Sequence, residues 1–396
     1  MRSLSISGLI VVLILALLTA LEPLSIDTYL PGFIIMADAL KTDVASIQIS
    51  LATFLGGFAV GQLIWGPLAD KLGRKKPILI SLFIFVVASI GCMFVTSVEA
   101  LWVLRFVQAV GGCGGIVISR AIVTDYFDKS LTLKIYSLLA MIVGVAPIIA
   151  PVFGNLILSF AKKWEMLFLA MATLGVILFV LTLFFLPETK NFSLNSQKKE
   201  SMFASYFEIL KVRKFLTYSI IAGIINGALM IYVSNGPFLI MEKAGYSGGM
   251  FSLIFATNAL GLMFGSYLVS VLSKYIIPTD IVKKSLFSMV VVGIIMYLVM
   301  IFTSSMNLVL VILFIYLIFV GILFPVTTEL AITPFIKNSG SASSLFGTIQ
   351  MTLAFLITLV SGLISNGTVS ILGIEFTVCI IFSLACLLIK KDVIKS

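Results

Sequence analysis

Charged residues inside long apolar runs are where this sequence could do chemistry. Glu22 and Asp27 lie in the first run, and Arg105 lies in the fourth. Glu329 lies toward the end of the tenth run, and Glu375 lies about one turn into the twelfth, where its side chain could extend to the outer surface. An ionisable side chain is costly inside a bilayer and often marks a functional site there. These residues therefore indicate proton or ion chemistry within a membrane.

Asp27 is the leading candidate for the residue that binds and releases a proton. It follows a long apolar helix and precedes Pro31-Gly32, where a helix is weak. A carboxyl group in a low-dielectric cavity favours its protonated form, so it can take up and release a proton as the cavity opens to either side. The alternative is that Asp27 caps the helix or pairs locally near the outer surface.

Glu22 is the second acid of the same run. On a regular helix its side chain points about 140° away from that of Asp27. The two carboxyl groups therefore do not share a proton unless the helix breaks at Pro23 or beyond. We predict proton coupling by Asp27, Arg105 and Glu22 together. Glu22 either pairs with a cationic group of a substrate or is a buried, hydrogen-bonded acid.

Arg105 needs an acidic partner or several carbonyl groups inside the membrane. Gln108 lies one turn further along the same helix face. Arg105 either exchanges between an acid and a substrate or forms a static buried ion pair. Polar amides and tyrosines elsewhere could form interhelical hydrogen bonds or face an adaptable apolar cavity. The predicted substrate cavity comprises Glu22, Asp27, Tyr29, Arg105, Gln108, Asn226, Tyr232, Asn235, Asn258 and Gln350.

Several chemistries are excluded by what the sequence lacks. It has no histidine, so histidine-based triads and HExxH zinc sites cannot exist. Its cysteines form no CxxC pair and are interpreted as small core residues: Cys92, Cys113, Cys379 and Cys386. It has no GxxxxGK[ST] phosphate loop and is not ATP-driven by itself. We expect no enzyme, no metal site and no cofactor, with a proton as the coupling ion.

Composition identifies the solvent of the folded chain. The chain has 396 residues, of which 60% are hydrophobic and 11% are charged. Ordinary soluble domains are about 45–50% apolar and about 25% charged. Lipid must therefore surround most of the chain, which excludes soluble enzymes, nucleic-acid binders and disordered scaffolds. The apolar runs are continuous rather than alternating, which argues against an outer-membrane barrel.

The runs number twelve, in the order six, a polar stretch and six. A span needs roughly 20 residues, and the runs have that length. The sequence predicts an all-α membrane protein with a six-helix bundle over residues 1–186, a cytoplasmic linker over 187–214 and a second six-helix bundle over 215–396. The first run continues through its acids to Pro31, so we interpret it as a retained span rather than a signal peptide.

The distribution of Lys and Arg predicts the orientation. Most of the 26 basic residues fall in segments that are cytoplasmic if the N-terminus is cytoplasmic. The segments on the other side hold few: Lys41, Lys162, Lys163 and Lys243. This bias places both termini inside. It also explains the net charge of +9 by attraction to an anionic leaflet, without a nucleic acid as partner.

The two halves repeat short patterns at corresponding runs. Thr53, Gly57 and Gly61 in the second run match a set in the eighth run: Thr257, Gly261 and Gly265. Near the first and seventh runs, Pro31-Gly32-Phe33 matches the segment 235–238, Asn-Gly-Pro-Phe. Small residues at this spacing let helices approach closely. The repeats favour a duplicated six-helix unit.

The loop after the second run carries the most specific motif. Its sequence is Gly-Pro-Leu-Ala-Asp-Lys-Leu-Gly-Arg-Lys-Lys over residues 66–76. A negative charge at a helix C-terminus, such as Asp70, needs compensation, which Arg74 can supply. This segment resembles the signature of the major facilitator superfamily. The resemblance implies that the loop helps to hold two halves together on the cytoplasmic side, through the residues Gly66, Asp70, Gly73, Arg74, Arg120 and Asp125.

Further motifs resemble subgroups of that superfamily. The segment 104–111, Leu-Arg-Phe-Val-Gln-Ala-Val-Gly, is similar to the fourth-helix motif of proton-coupled members. The segment 144–154 resembles the fifth-helix antiporter motif of exporters, with Gly144, Pro147, Pro151 and Gly154. Asn155 departs from it, since a second glycine is usual there.

Asp-Thr-Tyr-Leu-Pro over residues 27–31 resembles a segment of the bicyclomycin/chloramphenicol-resistance (Bcr/CflA) drug:proton antiporters. The resemblance implies twelve helices in two bundles that rock around a central cavity, and proton-driven export of small amphipathic compounds such as bicyclomycin- or phenicol-like drugs. It also implies a bacterial inner membrane and a functional monomer. The alternatives are export of a physiological metabolite such as an amino acid or siderophore, proton-coupled import, and a sensor or scaffold that transports nothing.

Overall fold

The computed structural model describes residues 6–189, 202–303, 305–335, 339–365 and 368–389. Nearly all of these residues are helical, because long apolar segments in lipid must satisfy their own backbone hydrogen bonds. The first part of the chain forms α1 Ile6–Asp27, a 3-10 turn Leu30–Gly32, α2 Phe33–Ala39, α3 Val44–Leu72, α4 Lys75–Cys92, α5 Val98–Tyr126, α6 Lys129–Ala161 and α7 Glu165–Phe185. The rest forms α8 Met202–Lys211, α9 Arg213–Pro237, a π-helical segment Phe238–Lys243, α10 Gly248–Leu272, α11 Pro278–Phe302, α12 Met306–Ile332, α13 Ser339–Ile364 and α14 Val369–Ile389.

Within the described ranges, twelve helices are long and apolar enough to cross a membrane. This confirms the prediction of an all-α protein with twelve spans. The outer surfaces of these helices are apolar: Phe184 is 72% exposed and Phe302 is 78% exposed. Large aromatic side chains at such exposure fit contact with lipid rather than water.

The helices form two compact units. The first comprises Met1–Leu40 and Thr53–Lys199, and the second comprises Lys41–Ala52 and Glu200–Ser396. In the first unit, α4 packs against α5 and α7, and α1 packs against α5 and α6. In the second, α9 packs against α12, α13 and α14, while α11 packs against α12 and α14.

Part of the predicted linker is helical. The short helix α8 lies within the polar stretch 187–214, whereas residues 190–201 of that stretch lie outside the described residues. The C-terminal lysines also lie outside them, and the cytoplasmic placement of both termini stays a prediction.

The repeated glycines lie at close helix contacts in both units. A Cβ atom at Gly57 on α3 would overlap the backbone carbonyl of Phe106 on α5. A Cβ atom at Gly265 on α10 would overlap the carbonyl of Ile318 on α12. In the repeat Gly265 corresponds to Gly61, where a Cβ atom would lie 2.7 Å from the Cβ atom of Cys113 on α5. Glycines of the repeated pattern therefore allow close helix contacts in both units.

The first apolar run is not one continuous helix. The helix α1 passes through Pro23 and ends at Asp27, before the turn at Leu30–Gly32. Because Pro23 does not end α1, Glu22 and Asp27 remain on one helix, and the condition for a shared proton is not met. Asp27 is the last residue of α1, because Pro31-Gly32 disfavours a continuous helix beyond it.

Candidate functional site

Arg105 lies in a cage of aromatic rings inside the first unit. Its side chain on α5 is 0% exposed. The guanidinium carbon lies 4.2 Å from the centroid of the Tyr29 ring and 4.3 Å from that of Phe54. The ring of Phe168 follows at 5.9 Å. Aromatic faces attract a cation, and this attraction is strongest where water is excluded.

Two oxygen acceptors also contact Arg105, while its Nε is buried without a hydrogen-bond partner in the described part of the chain. Its Nη2 donates to the carbonyl of Ser25 at 3.1 Å, and its Nη1 donates to Oε1 of Gln108 at 2.5 Å. Gln108 is held in turn because its Nε2 donates to Ser89 Oγ at 2.7 Å. The ion pairs between described residues do not include Arg105. The partners of Arg105 are therefore a backbone carbonyl and a side-chain amide oxygen. Among the described residues, it forms no static ion pair with an acid.

Asp27 lies within one helical turn of the backbone carbonyl that binds Arg105. It is the last residue of α1 and is 4% exposed. Glu22 on the same helix is partly buried, and no ion pair between described residues includes either acid. The structure therefore brings Asp27, Tyr29, Arg105 and Gln108 into one part of the first unit.

The fifth-helix motif lies on α6, beside the end of α1. Gly154 is buried, and a Cβ atom there would overlap the carbonyl oxygen of Thr28, the residue after Asp27. At Gly144, the other end of the motif, a Cβ atom would meet nothing within 4 Å. Pro147 and Pro151 lie inside the helix without ending it. Gly154 thus sets the close approach of α6 to the chain at Asp27.

The loop between α3 and α4 holds a small ion network. Arg74 Nε lies 2.7 Å from Asp125 Oδ2, and Arg74 Nη1 lies 2.8 Å from Asp70 Oδ1. Burial of Arg74 opposes its charge, but hydrogen bonds and attraction to the two acids raise the pKa of the guanidinium above its ordinary value. Gly73 has φ +88°, a left-handed conformation that favours glycine. Arg120 is exposed, and its backbone carbonyl accepts from the hydroxyl of Tyr136 at 2.7 Å.

Glu188 joins this network and was missed by sequence reasoning. Its Oε1 accepts from the backbone N–H of Arg74 at 2.8 Å, and its Oε2 accepts from that of Lys75 at 3.1 Å. It satisfies free N–H groups at the start of α4, where a negative charge is favourable. An acid just past the sixth run was visible in the sequence, but no local pattern connects it to a loop far away along the chain.

The polar residues predicted for the second half mostly join helices to one another. Asn258 Nδ2 donates to Tyr232 Oη at 2.9 Å, and Asn226 Nδ2 lies 3.9 Å from the sulfur of Met351. Tyr232 and Asn235 also line an internal cavity of about 10 Å³, at the lower limit for one water molecule. Gln350 is only partly buried.

Glu375 differs from what the sequence indicated. It does not extend to the outer surface: it is 9% exposed, and Ser361 Oγ donates to its Oε2 at 2.7 Å. Glu329, by contrast, is exposed. The sequence showed that Glu375 lies in a span, but not which way the helix turns it.

No group of three or more possible metal ligands occurs among the residues that the structure describes. The three cysteines Cys92, Cys113 and Cys379 are buried, and Cys386 is partly buried. In the described ranges, twelve helices that are long and apolar enough to span a membrane, with a buried arginine and buried acids among them, define the class as a multi-pass membrane protein with ionisable groups inside its spans.

Comparisons with known proteins identify the family. The family model of the Major Facilitator Superfamily matches residues 15–359. The "Uncharacterized MFS-type transporter YdgK" of Bacillus subtilis is 33% identical over 385 residues, which are 96% of this chain and 95% of that one. The "Multidrug resistance protein MdtL" of Shewanella sp. is 31% identical over 359 residues, covering 90% of this chain and 89% of that one. The chain belongs to the Major Facilitator Superfamily.

A further relative and a solved structure agree. The "Bicyclomycin resistance protein homolog" of Haemophilus influenzae is 31% identical over 265 residues, 67% of this chain and 66% of that one. The crystal structure of a D-xylose–proton symporter has a TM-score of 0.77 at 11% identity, over 96% of this chain and 97% of that chain. The latter likeness shows the fold. The chain is therefore a multi-pass transporter of a bacterial inner membrane, which confirms the expectation of a transporter rather than an enzyme.

Proposed function

We propose that this protein is a proton-coupled exporter of small amphipathic compounds, with Asp27 as the residue that binds the coupling proton. The observation that carries the proposal is the position of Arg105. It is fully buried, makes no ion pair with a described acid, and is hydrogen-bonded to the backbone of α1 within a turn of Asp27. A buried cation and a buried acid at one place, without an ion pair between them, make a charge-sensitive site.

The coupling follows from electrostatics. Inside a protein, charges interact several times more strongly than in water. A change of one unit of charge at Asp27 therefore alters the electrostatic energy of Arg105. The aromatic cage stabilises the arginine by roughly 0.5–2 kcal/mol per ring without fixing it to a carboxylate. Proton uptake by Asp27 from outside neutralises that acid and weakens its hold on a cationic group of the cargo. The cargo leaves, the site opens inward, and the proton is released there.

The substrate class is supported by the surroundings and by the names of relatives. The site is lined with aromatic rings and few charges, which suits compounds with an apolar body and one polar or cationic group. Two relatives are named for resistance to many drugs and to bicyclomycin. We therefore place drug-like amphipathic compounds first, ahead of an amino acid or siderophore.

The test uses purified full-length protein in proteoliposomes. A thermal-shift screen over neutral, zwitterionic and cationic compounds first selects a ligand, and its uphill transport is then driven by an imposed pH gradient. We expect Asp27→Asn to abolish proton-driven uphill transport while exchange of the ligand down its own gradient continues. The matched control is Asp38→Asn, because Asp38 is an exposed acid on α2 and should leave transport unchanged.

The outcomes separate the alternatives. Uphill transport that persists in Asp27→Asn would refute the assignment of the proton to that residue. If the ligand accumulates in the compartment toward which the protons flow, it moves with the proton instead of against it. That result would make the protein an importer. Stabilisation by metabolites of the growth medium, and by none of the drugs, would favour the metabolite exporter.

A further inference from the structure

A row of hydrogen-bonded polar side chains connects three helices of the second unit and ends at Glu375. Asn235 on α9 donates from Nδ2 to Ser361 Oγ on α13 at 3.3 Å. Ser361 Oγ in turn donates to Glu375 Oε2 on α14 at 2.7 Å. All three side chains are buried. At its other end, this row of side chains reaches the small cavity that Asn235 and Phe376 line together.

The carboxyl group of Glu375 is only half satisfied. Its Oε1 is buried and has no hydrogen-bond partner, while Oε2 has the single bond from Ser361. The ion pairs among the described residues do not include Glu375. A buried polar atom without a partner costs about 1–3 kcal/mol, and a buried charge without a cation costs more. A buried polar atom without a partner therefore needs an explanation. For Oε1 of Glu375 the explanation is that a carboxyl oxygen can carry a proton.

No formal charge faces Glu375 from the helices that surround it, within the part of the chain that the structure describes. Cys379 lies one turn further along α14, and Tyr316 on α12 contacts the neighbouring Phe376 with ring centroids 5.1 Å apart. On α11, Tyr297 faces α14 at Gly373, where a Cβ atom would lie 2.8 Å from the Tyr297 Cα. Cysteine and tyrosine side chains are ordinarily neutral near pH 7.

The remaining charges on the packed helices lie far off. α13 carries no titratable side chain over its span Ser339–Ile364. The charged residues of α11 lie near its start, about 14–20 Å along the axis from Gly293, which faces α14: Asp280, Lys283 and Lys284. On α12, Glu329 lies 13 residues beyond Tyr316, about 20 Å along the axis. On α9, Arg213 and Lys214 lie at the end opposite to Asn235. Beyond the other end of α9, Glu242 and Lys243 close the π-helical segment, and Lys243 Nζ lies 5.1 Å from the centroid of the Phe238 ring.

We propose that Glu375 is a second proton-binding residue of this transporter, connected through Ser361 and Asn235 to the cavity beside Phe376. The proton bonds to Oε1, while Ser361 continues to donate to Oε2. Release returns the proton to water and leaves a carboxylate held by the Ser361 hydroxyl. The inference rests on the proposed function only in taking the coupled ion to be a proton.

The experiment reads the protonation of Glu375 directly. Infrared difference spectra of the full-length protein in lipid, recorded between acidic and alkaline pH, show the C=O stretching band of each carboxyl group that gains a proton. The parent protein is Glu22→Gln/Asp27→Asn, so that the acids of α1 do not contribute. We expect a band from a buried carboxyl group that changes with pH and is lost when Glu375→Gln is added. Glu329→Gln, at an exposed acid, should leave this band in place.

Ser361→Ala is the second variant and keeps the test decisive if Glu375→Gln does not fold. Loss of its hydrogen bond should shift the band to higher frequency, because the carbonyl oxygen of the acid then accepts no bond. Spectra that are the same with and without Glu375→Gln would overturn the proposal. The proposed function fails separately, if Asp27→Asn retains proton-driven uphill transport.

Discussion

Two glycines of one helix give a matched test of how α6 is positioned. Gly154 and Gly144 both lie inside α6 and belong to the same motif. A Cβ atom at Gly154 would overlap the Thr28 carbonyl oxygen and lie 2.9 Å from its carbon, whereas a Cβ atom at Gly144 meets nothing within 4 Å. The same change, glycine to alanine, should therefore have opposite consequences at the two positions.

The magnitude follows from two effects. Both alanines gain helix propensity, about 1 kcal/mol relative to glycine. Only Gly154→Ala forces two backbones apart, and overpacking of this kind costs about 1–3 kcal/mol. The propensity gain is common to both and cancels in the comparison. Gly154→Ala should thus be less stable than Gly144→Ala by about 1–3 kcal/mol, or about 1–4 °C in Tm for a chain of this length.

The assay is thermal unfolding of both purified variants in the same detergent, followed by proton-driven transport in proteoliposomes. Because Thr28 follows Asp27, displacement of the chain there should also lower the transport rate of Gly154→Ala below that of Gly144→Ala. If the two variants unfold at the same temperature, or if Gly154→Ala is the more stable, the close contact of α6 with Thr28 is refuted.

Two further predictions concern the ion network and the aromatic cage. Arg74→Ala removes partly exposed ion pairs to Asp70 and Asp125, worth about 0.2–1 kcal/mol each, so it should lower stability and transport. The control Lys76→Ala, at an exposed position, should change neither. Equal effects of the two substitutions in thermal unfolding would count against the network. In a double-mutant cycle with Arg105→Met, Phe54→Leu should show a coupling of about 0.5–2 kcal/mol in stability. Phe251→Leu, at a buried ring in the second unit, should show no coupling, and the cage is refuted if both cycles give the same value.

The fold could be predicted because lipid imposes strong rules on sequence. Each span must be an apolar helix of about 20 residues, so the run lengths alone indicated twelve spans, and the structure has twelve in the described residues. The weak point after Asp27 was also visible, since Pro31-Gly32 disfavours a continuous helix. What the run boundaries could not show was that α1 passes through Pro23 and ends at Asp27 itself.

The candidate site was predicted in its residues but not in its contacts. Asp27, Arg105 and Gln108 stand out because charged and polar side chains are rare in such runs. An acid was one of the partners considered for Arg105, and the structure instead gives it the Ser25 carbonyl and three aromatic rings. Aromatic residues are frequent throughout this chain, so no pattern distinguishes those that surround a cation.

The sequence by itself determined the membrane solvent, the number of spans, the family motifs and a short set of ionisable residues inside the bilayer. The tertiary structure alone decided which of these meet: Glu188 with the start of α4, Gly154 with Thr28, and Glu375 with Ser361. The physical reason is that hydropathy depends only on the composition of a helix. Its partners depend on its rotation and register, which are set by packing against helices that are distant along the chain.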